Sequence, residues 1–124
     1  MKLNHECVRD LLLLIENTET LNFFQLSQIY KGDFSEKYTF ETAYYTATLL
    51  ADGGFLDIKC MTSVGMRDIA IYKITWNGHQ FLDNVRDDRV WSESTSVALE
   101  KVTSVSLNIL STLASKIIAN QLGL

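Results

Sequence analysis

His79, Asp83 and Asp87 follow one another at i, i+4 and i+8 within ITWNGHQFLDNVRDDRVW, residues 74–91. On a helix that spacing places an imidazole and two carboxylates on one face, and both groups are zinc-ligand types. Arg86, three residues after Asp83, offers a plainer account, because such same-face charge pairs occur on ordinary solvated helices. Thr75-x-x-Gly78 likewise reads as a helix start. We therefore expect structure here, and no metal. His5-Glu6-Cys7 with Cys60 and His79 lacks the close Cys-x2-Cys pairs of a zinc site. Cys7 and Cys60 are expected as small core residues. No phosphate-binding loop, dinucleotide-binding glycine pattern or nucleophile elbow is present. No enzyme and no cofactor are expected. Tyr30, Tyr38, Tyr44 and Tyr45 could stack bases, although core packing accounts for most aromatics at such spacing.

The 124 residues suit one domain, with 47% hydrophobic and 21% charged residues, a globular composition. Proline is absent, where average usage would give roughly six. Residues 1–54 hold four basic against eight acidic side chains, and residues 55–124 hold seven against seven. An acidic first half opposes phosphate backbones, whose affinity comes mainly from Lys and Arg. The apolar run at 11–15 is too short for a signal peptide. Glu100, Lys101, Asn108 and Lys116 break up the apolar C-terminal stretch, so no membrane span is expected. The protein is expected to be cytoplasmic and reduced.

Elements able to position these residues are legible from periodicity. Asn4 can cap a first helix with Val8, Leu11, Leu12 and Ile15 inward and Arg9, Asp10 and Glu16 outward. Residues 17–21 form a polar break. A second helix is expected over 22–30, with Phe23, Leu26 and Ile29 or Tyr30 inward, and KGDFSEK reads as a turn. Thr39 can cap a third helix that ends at Gly53-Gly54. Its inward face is Phe40, Ala43, Tyr44, Ala47 and Leu50, leaving Thr42, Tyr45, Thr46 and Thr48 for exposure. Residues 55–61 and 68–75 alternate as the strands of a hairpin turning at TSVG. A helix then starts at Trp76, with Phe81, Leu82 and Val85 inward and His79, Asp83 and Arg86 on the other side. Helix resumes near Ser92 to Lys101, breaks at Val102-Thr103-Ser104, and runs again over 105–121. The predicted class is α+β, mainly α. The element order is that of a winged helix, three helices, a β-hairpin wing and a fourth helix, over residues 1–91, with a helical tail over 92–124.

MKLNHECVRDLLLLIE, TAYYTATLLADGGFL, ITWNGHQFLDNVRDDRVW and SKIIANQLGL together resemble a family of small uncharacterised proteins of Gram-positive bacteria and their prophages, a domain of unknown function. The most specific part is residues 75–82 followed by Trp91. YYTATLLADGGFL also looks like the third helix of many winged-helix regulators, with Thr46 where those often place His. The resemblance implies a fold and a phage-like setting, and no established activity.

From the winged-helix likeness, double-stranded DNA is the first expected partner. The third helix would present Thr39, Thr42, Tyr45, Thr46 and Thr48, and the wing Lys59, Arg67 and Lys73. Three cations give a weak electrostatic term beside the six to ten phosphate contacts of tight binders. The alternative is a protein-interaction module on the same scaffold, which the acidic first half favours. A homodimer is expected through the last helix. Leu107, Ile109, Leu110, Leu113, Ala114, Ile117 and Ile118 spread apolar surface wider than the roughly 100° stripe that docking on one domain requires.

Overall fold

The computed structural model describes residues 1–20 and 22–124. Leu21, the last residue of the expected polar break, lies outside the described residues. The fold is α+β and mainly helical, with one three-stranded antiparallel sheet of order β1-β3-β2. The chain divides into two compact units, Met1–His79 and Gln80–Leu124.

In the first unit, α1 (His5–Glu16) is capped as expected, the Asn4 side chain accepting from the Cys7 amide at 3.0 Å. Cys7, Val8, Leu11, Leu12 and Ile15 are buried. Arg9, expected outward, is buried as well. The second expected helix is mostly something else. Phe24–Gln25 forms β1, pairing Phe24 with Ile71 and Gln25 with Ala70. Phe24 is buried and Phe23 is 45% exposed, the reverse of the expected facing. Only α2 (Leu26–Ile29) is helical there. Asp68 of β3 holds its start, accepting from the Ser27 amide at 3.1 Å and from the Ser27 hydroxyl.

KGDFSEK is a helix rather than a turn, α3 (Gly32–Lys37). Gly32 opens it at φ +61. Asp33 in its first turn and Lys37 in its last suit the helix dipole. Buried Phe34 anchors it between the rings of Tyr30 and Tyr38. α4 (Phe40–Asp52) begins at Thr39, whose hydroxyl accepts from the Thr42 amide at 3.1 Å, and stops at Gly53-Gly54. Helices α1 and α4 pack together, α1 on β3 and α4 on β2.

The hairpin is β2 (Leu56–Ser63) and β3 (Met66–Ile74), longer at the turn than expected. Gly65 turns it at φ +78. The register shifts by one residue between Asp57, opposite Lys73, and Ile58, opposite Ile71, which leaves Tyr72 as the extra residue. Such a bulge resets side-chain alternation, so Ile69, Ile71 and Ile74 are all buried while Tyr72 is 41% exposed. Burial along β2 fades from Leu56 through Ile58 to Cys60, which is exposed. Cys60 is therefore a surface residue, not the core residue expected. α5 (Trp76–Val85) starts at Thr75, whose hydroxyl accepts from the Gly78 amide at 3.1 Å.

The second unit holds the end of α5, then α6 (Asp88–Lys101) and α7 (Leu107–Gln121), which pack on each other. Phe81, Leu82 and Val85 are buried as expected. α6 starts four residues before Ser92, because Asp87 caps it, accepting from the amides of Arg89 at 2.9 Å and Val90 at 3.0 Å. The break after Lys101 is present, and Ser106 caps α7 through the Ile109 amide at 3.2 Å. The Asn84 amide group donates to the Ser111 hydroxyl at 2.9 Å.

Candidate functional site

The residues of the opening charge cluster take separate structural duties. The Arg86 guanidinium donates to Asp83 at 2.6 Å, and Asp87 is the α6 cap. Among the described residues no group of three His, Cys, Asp or Glu side chains is placed to hold a metal ion. The four tyrosines do not share a platform. Tyr38 is buried, its hydroxyl donating to Asp10 at 2.6 Å, while the Tyr30 hydroxyl donates to the Tyr38 carbonyl at 2.6 Å. Burial, then the Asp10 contact, holds the Tyr38 phenol protonated well above the usual tyrosine range. Burial pushes the Cys7 thiol up and the half-buried His5 imidazole down.

A concave surface forms where α4 faces the hairpin tip. Met1, Phe40, Glu41, Tyr44, Tyr45, Thr48, Gly65 and Arg67 line a groove of about 560 Å³, with the Tyr45 hydroxyl donating to the Met1 carbonyl at 3.4 Å. Phe40 and Tyr44, one helical turn apart, keep ring centroids 6.4 Å apart. Arg67 reaches across from β3 and sets its guanidinium over Tyr44, 4.7 Å from the ring centroid. Periodicity assigned Tyr44 to the core. It is half-exposed and lines the groove, with the Arg67 guanidinium of the hairpin over its ring. Glu41 was not foreseen as a groove residue; its signal was its place one turn before Tyr44 on the same helix.

The expected contact residues of α4 divide. Thr46 is buried at 1% exposure, its hydroxyl donating to the Thr42 carbonyl at 2.7 Å, so it does not belong on a binding surface. Thr42, Tyr45 and Thr48 are half-exposed and Thr39 exposed. Several hydroxyl protons are used within the helix: Thr39 donates to Thr42 at 2.9 Å and Thr48 to the Tyr45 carbonyl at 2.7 Å. The charges of α4 are Glu41 and Asp52, both acidic.

The three wing cations do not converge. Arg67 lines the groove. Lys59 lines another depression, of about 460 Å³, beside Gln25, Ser27 and Asp68. Lys73 lines a third, of about 330 Å³, beside Glu16, Glu19 and His79.

Residues 2–105 match the family described as hypothetical protein, DUF2513. The chain belongs to that family. An uncharacterised protein of Haemophilus influenzae is 28% identical over 123 residues, covering 99% of this chain and all of the relative. No solved structure matches the chain. The DUF2513 match covers the groove apart from Met1 and both strands of the hairpin, and it ends before α7.

On α7 of this DUF2513 chain, Leu110 and Ala114 are buried within the monomer. Leu107, Leu113, Ile117 and Ile118 are half-buried, and Ile109 is 52% exposed. The wide apolar arc read from the sequence is partly used by the chain itself. Among the described residues no helix is long and apolar enough to cross a membrane.

Proposed function

We propose that this protein is a non-catalytic recognition module on a winged-helix scaffold, and that its α4–hairpin groove docks a segment of another protein. The order α1-β1-α2-α3-α4-β2-β3 and the sheet order β1-β3-β2 support the winged-helix reading of the first unit. Fold alone does not select the ligand. The observation that carries the choice is the scatter of Lys59, Arg67 and Lys73 over three separate depressions, each shared with at least one carboxylate. Duplex binding draws its free energy from several cations tracking one backbone. An acidic α4 opposes that.

DNA-associated regulation stays as the second reading, favoured by the polar row Thr39, Thr42, Tyr45 and Thr48 beside Arg67. A homodimer through the Ile109, Leu113 and Ile117 flank of α7 would present two grooves. The test is binding of the purified protein to duplex DNA and to displayed peptides at low salt. Peptide binding at the groove without duplex binding supports the proposal.

A further inference from the structure

Building on the protein-docking reading, we infer that the groove takes a segment whose acidic side chain pairs with Arg67 while a neighbouring apolar or aromatic side chain lies over Phe40 and Tyr45. Arg67 supplies the charge. Its guanidinium is stationed over Tyr44, and no hydrogen bond within the described residues takes up its five N–H donors. No ion pair among the described residues engages it. A planar fork held over a ring presents two parallel N–H groups, the geometry that a carboxylate accepts in bidentate fashion.

Glu41 gives the groove a direction. It stands one helical turn before Tyr44, on the same wall, and residues so spaced lie about 5–6 Å apart at their β-carbons. A continuous run of phosphates would meet this carboxylate as well as Arg67. A peptide with one acidic residue avoids it, and one with a basic residue a step further along gains from it. The aromatic walls supply apolar area at low entropic cost, since Phe and Tyr rings have few rotamers to lose.

The test is selection from a bacteriophage-displayed random peptide library on the full chain. Enriched peptides are then titrated, labelled, by fluorescence anisotropy. Enriched sequences are expected to share an acidic residue beside an apolar one. Changing that residue to its amide should weaken binding by about tenfold or more, as for loss of a charge-assisted hydrogen bond. Arg67→Glu should abolish binding with an unchanged circular-dichroism spectrum, and a peptide with Lys at the acidic position should bind Arg67→Glu better than wild type. Enriched peptides with no acidic residue, or with affinity indifferent to Arg67→Glu, would overturn this inference and leave protein docking standing. Displacement of the peptide by duplex DNA would assign the groove to phosphate and overturn it. No enrichment from the library would overturn both the inference and the docking reading.

Discussion

Arg67 and Tyr44 join the hairpin tip to α4 through a cation–π contact, with the guanidinium 4.7 Å from the ring centroid. Such contacts at exposed sites contribute about 0.5–1 kcal/mol. A double-mutant cycle of Arg67→Ala and Tyr44→Leu, followed by urea unfolding, should return a coupling energy of that size. Additive single-mutant effects would show that this contact contributes no coupling between the hairpin tip and α4.

Gly78 is fixed by crowding. A β-carbon at this position would meet the Phe55 carbonyl oxygen at 2.3 Å and a methyl of Ile74 at 2.6 Å. Alanine normally gains about 1 kcal/mol over glycine inside a helix, but overpacking costs about 1–3 kcal/mol and a backbone atom cannot swing aside. Gly78→Ala should therefore lower the urea midpoint, and an unchanged or raised midpoint would refute the close approach.

Tyr38 gives the first unit an alkaline limit. Its phenol is held protonated in the fold, first by burial and then by Asp10, above the ordinary value of 10.0. The unfolded chain loses that proton more readily, so the contribution is complete below pH 10.0 and is lost as pH rises beyond it. Thermal melts should show stability falling above that pH, and Tyr38→Phe should flatten the decline. At neutral pH the variant loses the bond to Asp10, a cost of about 1.5–3 kcal/mol for a hydrogen bond to a charged group.

Local signals in this sequence were sufficient for α1, α4, α5 and the hairpin. Asn4, Thr39 and Thr75 each carry out the capping expected of them. What was not legible depended on distant partners. Phe24 and Gln25 are a strand only because β3 lies beside them, and α3 forms from turn-like residues because Phe34 is clasped by two tyrosines. The bulge at Tyr72 displaced the strand alternation by one position. The site was half legible: Arg67, Tyr45 and Thr48 were named, whereas Thr46 sits in the core and Tyr44 in the groove. Helical spacing gives a face, but only packing decides which edge of that face meets solvent.

The α7 surface separates folding from assembly. Leu110 is 1% exposed and Ile109 is 52% exposed. Leu110→Glu should unfold the α6–α7 pair, whereas Ile109→Glu should preserve helicity and convert a dimer to a monomer in light scattering. A monomeric wild type would remove the homodimer from the account.

The central claim, that this module recognises protein rather than DNA, is tested most directly by titrating labelled duplex DNA with the full chain at low salt. With α4 acidic and the three wing cations apart, no saturable rise in anisotropy is predicted. Saturable binding that falls steeply with added salt and is lost on joint charge reversal of Lys59, Arg67 and Lys73 would contradict the claim.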